Sequence, residues 1–300
     1  MMINRKNLNV MKTYDLLKWT MACAMCTFVM TSCSDDDNDG NVNVPNAVET
    51  AFNQKYDGVT RVSWESGNGG YLVGGFNKDG RDYDAWFTNT GEWVMTEVDH
   101  ARDTRSLPQA VIDGYEATGY AQDGWRIDDI DEIQRPGYET IYKIEVEKAG
   151  QPDYDLYFDA YGTLFREVAD NDDDRNEGLI HNNRPDGLQA FIDAEYPGAK
   201  VLDFEREDFG YEMDIRHEGK SKEVLFDRDM NWMATVTDSS RDIPANIISA
   251  VRNEYPRFEI DDCDYVETAK GEKFYLIELD DVDINLMVTL DGAVTVTPDF

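Results

Sequence analysis

Pro45-Asn-Ala-Val48-Glu-Thr-Ala51-Phe52-Asn-Gln-Lys-Tyr56 opens a stretch, Pro45 to Trp93, that the chain writes four times. Val48, Ala51, Phe52 and Tyr56 fall on one face of a 3.6-residue period, so the spacing predicts a short amphipathic helix. Three alternating segments follow, Arg61–Trp64, Tyr71–Phe76 and Tyr83–Phe87, and a turn at Thr90-Gly91 leads into Glu92-Trp93. Alternation of period two predicts strands with one buried face.

The copies superpose by offset. Counting from Pro45, Pro108, Pro185 and Pro244, the position three residues on is Val48, Val111, Leu188 and Ile247, and seven on is Phe52, Tyr115, Ile192 and Val251. Eleven on is Tyr56, Gly119, Tyr196 and Tyr255, so the second copy breaks step, with Tyr120 one place late. Each copy also ends alike: Phe87 and Trp93, Phe158 and Leu164, Phe226 and Trp232, and Val288 and Val294 keep one constant spacing. Gly91, Gly162 and Gly292 stand at the same point inside that spacing, where a tight hairpin needs positive φ. Met230 takes that place in the third copy. A repeat of roughly 60 to 75 residues is too long for a solenoid unit. We therefore expect an α+β fold of four repeats, each a helix packed on an antiparallel sheet of about four strands, paired into two domains.

Near the start, Lys12 precedes a largely apolar run from Leu16 to Met30, which ends at Thr31-Ser32-Cys33. A basic segment, an apolar run too short to span a bilayer and a small-residue cleavage site predict a signal peptide over residues 1–32. Met30-Thr31-Ser32-Cys33 resembles a lipobox, which implies that Cys33 is lipidated and anchors the mature chain in the outer membrane. The acidic run Ser34 to Gly40 lies in a tether over residues 33–44. It resembles a surface-export signal and equally suits a solvated spacer, so display at the cell surface and on the periplasmic side both stay open.

With 62 acidic against 28 basic residues the chain carries −34, and removing residues 1–32 takes away a net +3 and leaves −37. A field of that sign repels nucleic acid and anionic lipid, which excludes nucleic-acid binding and leaves the anchor as the sole membrane attachment. Cys23 and Cys26 leave with the signal, so Cys263 has no thiol partner and packed cores must supply the stability. The remaining residues, about 270 of them, suffice for two ordinary domains.

The first expected domain spans residues 45–170. In its second copy, strands are legible at Thr140–Val146, Tyr154–Phe158 and Leu164–Val168, which places Lys143, Glu145, Glu147, Asp153, Asp155 and Tyr157 on the face away from the helix. Asp170 to Gly178 is dense in acids, and residues 171–184 are expected to form a linker. Asp170, Asp172 and Asp174 imitate the first ligands of a calcium loop, but Arg175 replaces the turn glycine and His181 replaces the bidentate Glu. The second expected domain spans residues 185–300, with strands at Val201–Phe204, Tyr211–Ile215, Glu223–Phe226, Trp232–Val236, Phe274–Leu279, Ile284–Val288 and Ala293–Val296.

Pro244 to Pro256, Leu188 to Pro197, and Val62-Ser63-Trp64 through Phe87 to Trp93 resemble the PepSY-like, beta-lactamase-inhibitor-like domains of Gram-negative secreted lipoproteins. The resemblance covers nearly all of residues 45–300 and rests on core and turn residues, so it is specific for fold and weak for function. It implies a helix on a four-stranded sheet in each repeat and, in the inhibitor namesake, a concave sheet surface that docks on an enzyme.

Residues for chemistry are sparse. His100, His181 and His217 lie far apart with no metal-ligand spacing, and each reads as a surface residue. No G-x-S-x-G elbow, Walker loop, H-E-x-x-H helix or Cys pair occurs. Gly67-Asn68-Gly69-Gly70 sits between two strands and reads as a connection rather than a phosphate loop. Trp64, Trp86, Trp93, Trp125 and Trp232 recur at strand positions and read mainly as core. The expectation is a non-enzymatic, cofactor-free, lipid-anchored envelope protein. It would bind a protein or peptide, basic in character, through sheet faces that include Glu145, Glu147, Asp153, Asp155 and Tyr157. The alternative is an inhibitor of a secreted hydrolase, a peptidase or a beta-lactamase.

Overall fold

The computed structural model describes residues 42–122, 124–169, 179–180, 184–280, 282 and 284–297. Cys33, the tether up to Asn41 and most of the expected linker lie outside the described residues. The chain divides into two compact units, one up to Val98 and one from Asp99 to Asp299.

In the first unit, α1 (Asn46–Lys55) precedes β1 (Ser63–Ser66), β2 (Leu72–Lys78), β3 (Arg81–Phe87) and β4 (Trp93–Asp99). The strands pair antiparallel in order. Val48 and Phe52 of α1, with Tyr56 just past its end, pack with Leu72, Phe76, Ala85 and Phe87 of the sheet. The Phe52 ring is the hub, 5.0 to 6.1 Å from the rings of Tyr56, Phe76, Trp64 and Phe87.

The second unit repeats this order. It holds α2 (Gln109–Glu116) with β5 (Arg126–Gln134), β6 (Ile141–Glu147), β7 (Tyr154–Asp159) and β8 (Leu164–Ala169). Next come α3 (Asp186–Glu195), β9 (Lys200–Glu207), β10 (Gly210–His217), β11 (Lys220–Asp227) and β12 (Trp232–Asp238). It closes with α4 (Ala245–Glu254), β13 (Ile260–Thr268), β14 (Lys273–Leu279), β15 (Asn285–Thr289) and β16 (Val294–Thr297). β5 to β8 neighbour one another in sequence order, and β9 to β16 form one eight-stranded antiparallel sheet, also in order. The fold is thus α+β with repeat-like organisation.

The repeated prolines act at the helix starts. Each holds the cap position, with ψ between 133° and 144°. Its ring presets φ, and its carbonyl accepts from the N–H of Val48, Val111, Leu188 or Ile247, the first core residue of each helix. Tyr56, Tyr196 and Tyr255 close three helices with φ near −120° and an N–H donated to Phe52, Ile192 and Val251. α2 is two residues shorter, and Tyr120 sits beyond it in a separate 3-10 turn, Gly119–Ala121.

The constant spacing at the end of each copy is a cross-strand pair. Phe87 lies opposite Trp93, Phe158 opposite Leu164, Phe226 opposite Trp232 and Val288 opposite Val294. Between them the same turn recurs, with Gly91, Gly162, Met230 and Gly292 at φ 88°, 80°, 64° and 89°. In the second copy a Cβ on Gly162 would stand 1.8 Å from the Ala110 carbonyl oxygen, and one on Gly114 would stand 2.1 Å from the Gly162 carbonyl oxygen. Only glycine at both places lets α2 lie this close to its hairpin.

β5 and β13 were not legible as strands. Both are acid-rich, and each carries a register shift, between Ile127 and Asp129 and between Ile260 and Asp262, that breaks the two-residue alternation.

Candidate binding face

Glu145, Glu147, Asp155 and Tyr157 fall on one face of the β6–β7 ladder, as alternation requires. Lys143 pairs with Tyr157 and Glu145 with Asp155. The face is already internally engaged. Lys143 is buried, with its Nζ 3.3 Å from Asp131, 3.9 Å from Glu145 and 3.8 Å from Asp155, so one cation collects carboxylates from three strands. Tyr157 is buried as well, and the Arg166 guanidinium lies 5.3 Å from its ring centre. Burial, reinforced by the Asp155 carboxylate, pushes the Tyr157 phenol well above its usual value. Glu147 is half-buried and pairs with the exposed Arg126 at 3.1 Å. Asp153, half-buried, precedes β7.

From Tyr157 the polar network continues to β9. Arg166 Nη1 reaches Asp203 at 2.7 Å and Glu205 at 2.6 Å. Arg135, just past β5, donates from Nη1 to Asp203 at 2.7 Å and to the Leu179 carbonyl at 3.0 Å, and from Nη2 to the Leu202 carbonyl at 2.5 Å. Asp203 is fully buried. Burial opposes charge on Arg166, but the Asp203 and Glu205 carboxylates outweigh it and hold the guanidinium above its usual value. Arg216 of β10 reaches back to Asp159 at 2.5 Å and Thr163 at 3.0 Å. The Glu139 N–H donates to the Val201 carbonyl. The second and third copies are therefore joined by buried ion pairs and a backbone bond. No sequence motif marks these contacts.

His100, read as a surface residue, is buried, and that reading is corrected. Its Nδ1 lies 2.5 Å from Ser106 Oγ and its Nε2 3.5 Å from Glu132. The Ser106 hydroxyl also donates to the Asp103 carbonyl at 2.7 Å, and these side chains brace the turn that leads into α2. At the equivalent place before α4, the Ser239 N–H donates to the Cys263 carbonyl as the His100 N–H donates to that of Ile130. His217 closes β10 with its ring 5.5 Å from Tyr196, and His181 lies outside the described residues.

Glu212, Asp214 and Glu223 bring carboxylate oxygens within 4.8 Å of one another and are the one group of metal-ligand types gathered among the described residues. Such oxygens suit a hard cation; in a chain with 62 acids, proximity alone assigns none. Burial pushes the thiol of Cys263 up to about 12, with the carboxylates around it adding to the rise, which makes it a packing residue of the α4 core. Trp86 is buried, and Trp64, Trp93, Trp125 and Trp232 are partly buried against the helix cores. Gly67 to Gly70 connects β1 and β2 through a short 3-10 turn.

The sequence profile of a family described as beta-lactamase-inhibitor-like, PepSY-like matches residues 70–166, 173–221 and 216–295. Among solved structures, a BLIP-like protein from Bacteroides fragilis is 30% identical; the alignment covers 47% of this chain and 97% of that one, with a TM-score of 0.42. A DUF2874 family protein from Bacteroides ovatus is 26% identical over 44% of this chain and 94% of its own, with a TM-score of 0.41. A protein from Bacteroides eggerthii, provisionally described as periplasmic, is 26% identical over 42% and 89%, with a TM-score of 0.39. None of the curated proteins matches the chain. Among the described residues no helix is long and apolar enough to cross a membrane.

Proposed function

The chain belongs to the beta-lactamase-inhibitor-like, PepSY-like family, and from that premise we propose that it is a non-enzymatic binding module whose ligand is a protein or peptide. The family match is the observation that carries this reading, because it spans three stretches that together take in most of the chain. In this reading the four helix-and-meander copies pair into two domains, residues 45–170 and 185–300. Cys33 carries the lipid that holds the chain at the outer membrane, after a signal over residues 1–32 and a tether over 33–44.

The partner is basic. A body carrying −37 after loss of the signal steers cations toward it. Of the five residues placed on the β6–β7 face, Glu147 and Asp153 meet such a partner first, since Glu145 and Asp155 are shared with Lys143 and Tyr157 is buried. The family description favours a second reading, a partner that is a secreted hydrolase inhibited on binding.

The test uses soluble protein beginning at Asn41 as bait for envelope extract, followed by association kinetics with the retained partner. Screening sets in beyond about 8 Å at physiological ionic strength, so association should slow as salt rises. Neutral replacements at Glu147 and Asp153 should reproduce that slowing. An association rate indifferent to both treatments rules out this face. A hydrolase that loses turnover at stoichiometric amounts selects the second reading over the first.

A further inference from the structure

Two strands end the β9–β16 sheet. β9 carries five charged residues, and its Asp203 and Glu205 are already engaged by Arg166 of β8. At the other end β16 reads Val294-Thr295-Val296-Thr297, with no charge. The end strand of a sheet leaves backbone donors and acceptors unpaired, and proteins guard it with charge, proline, a bulge or a covering segment. The last strands of the other copies have such guards. β12 is covered by β13, with which it pairs from Ala234 to Asp238. β8 carries Arg166 and Glu167. A register shift follows the closing pair in the β3–β4, β7–β8 and β11–β12 ladders, whereas β15 and β16 pair without one. Val296, opposite Leu286, is 52% exposed although apolar and β-branched. β16 is thus regular and uncharged, and no described strand pairs with its outer edge.

We propose that β16 is the edge through which two copies of this chain pair, strand to strand and antiparallel, into a symmetric dimer. In the third copy the equivalent edge already receives an antiparallel strand, so the contact continues a geometry that the fold uses. Charge selects the occupant. A body of −37 repels its like, and β16 against β16 brings no acid into the strand pair. Pairing through β9 would instead have to displace Arg166 from Asp203 and Glu205. β-branched residues suit a strand pair, and two-fold symmetry sets the valines and threonines of one β16 against those of the other. Four residues a side fall short of the roughly 1,000 Å² of a stable interface, so the dimer is weak, with a Kd of about 100 μM when charge is screened.

The test is sedimentation velocity on the whole soluble chain beginning at Asn41. Raising salt from about 0.1 M to about 1 M shortens the screening length from about 10 Å to about 3 Å and should strengthen the dimer at least about threefold. That sign is opposite to the slowing expected with a basic partner. At the higher salt and about 300 μM chain, about two-thirds of the chains should be dimeric. Val296→Glu sets a carboxylate inside the strand pair and should weaken the dimer at least about tenfold. Met230→Glu adds the same charge at an exposed turn of the third copy and should leave the dimer unchanged, with both variants keeping the parent's circular dichroism. Exchange of the β16 amide protons should slow with concentration in the parent and not in Val296→Glu. A chain that stays monomeric at high salt, a dimer that salt weakens, or Val296→Glu associating as well as Met230→Glu would each overturn the proposal.

Discussion

Replacing Asp203 by alanine removes the carboxylate on which Arg135 and Arg166 converge, each at 2.7 Å. The two cations do not lose equally. Arg166 keeps Glu205 at 2.6 Å, whereas Arg135, with a side chain 1% exposed, is left with two carbonyls and the Tyr138 ring and, among the described residues, no carboxylate partner. Opposite charges about 4 Å apart attract by about 4 kcal/mol at an effective dielectric of about 20. Breaking a buried pair by removing one partner costs about 3–5 kcal/mol. Either route takes a large part of the roughly 5–15 kcal/mol that holds a domain together. Urea unfolding should show it, followed both by circular dichroism and by tryptophan fluorescence, since Trp125 packs in the α2 core and Trp232 in the α3 core. We expect the midpoint to fall by the equivalent of at least about 3 kcal/mol. The double variant Arg135→Met with Asp203→Leu should recover most of that loss, because an apolar pair removes the stranded charge. A loss below about 1 kcal/mol, the range of exposed pairs, would refute the reasoning and place these charges in water.

Three further outcomes follow from the same geometry. Gly162→Ala should destabilise by more than about 2 kcal/mol, since its Cβ would meet the Ala110 carbonyl at 1.8 Å in a residue already at φ 80°; a melting temperature within a degree or so of the parent would show that α2 shifts freely. Burial, with Asp262, Glu223, Asp238 and Glu278 adding like charge, raises the Asp264 carboxyl well above its ordinary 3.8. The folded chain then holds that proton more tightly than the unfolded one, so this group adds stability as pH falls from its raised value toward 3.8. Asp264→Asn should raise stability at pH 7 and flatten the acid side of the profile, and a lower melting temperature at pH 7 would contradict this. Cys33→Ser should move the protein from membranes into the soluble fraction, and wild-type protein that takes up no fatty-acid label would dismiss the anchor.

What could be seen beforehand depended on how local the signal was. The prolines, the first core residues after them and the closing hairpin pairs are separated by fewer than a dozen positions, and the structure uses them as spaced. β5 and β13 escaped because an extra residue in each strand shifts the pattern by one and acids are at least as many as apolar residues. The contact between Arg135 and Asp203 spans 68 residues, and Asp203 in isolation looks like one more solvated acid. Tyr157 lies opposite Lys143 and is buried, and period-two alternation reports which side a residue occupies and not whether something covers it.

Four stretches that fold through the same proline-led helix start and the same hairpin turn are also four candidates for one another's place. Because each strand within a copy pairs with its neighbour in sequence, closure of a copy costs little chain entropy and should precede contacts between copies. The hazard comes at the next step, when a finished meander docks beside the wrong partner, the common failure of repeat proteins. The departures from strict repetition then work as keys. Gly114 and Gly162 let the second copy's helix and hairpin lie backbone to backbone, and in the third copy Met230 takes the turn position instead. Erasing those irregularities to make the copies uniform would leave each contact as strong and make the order of assembly ambiguous.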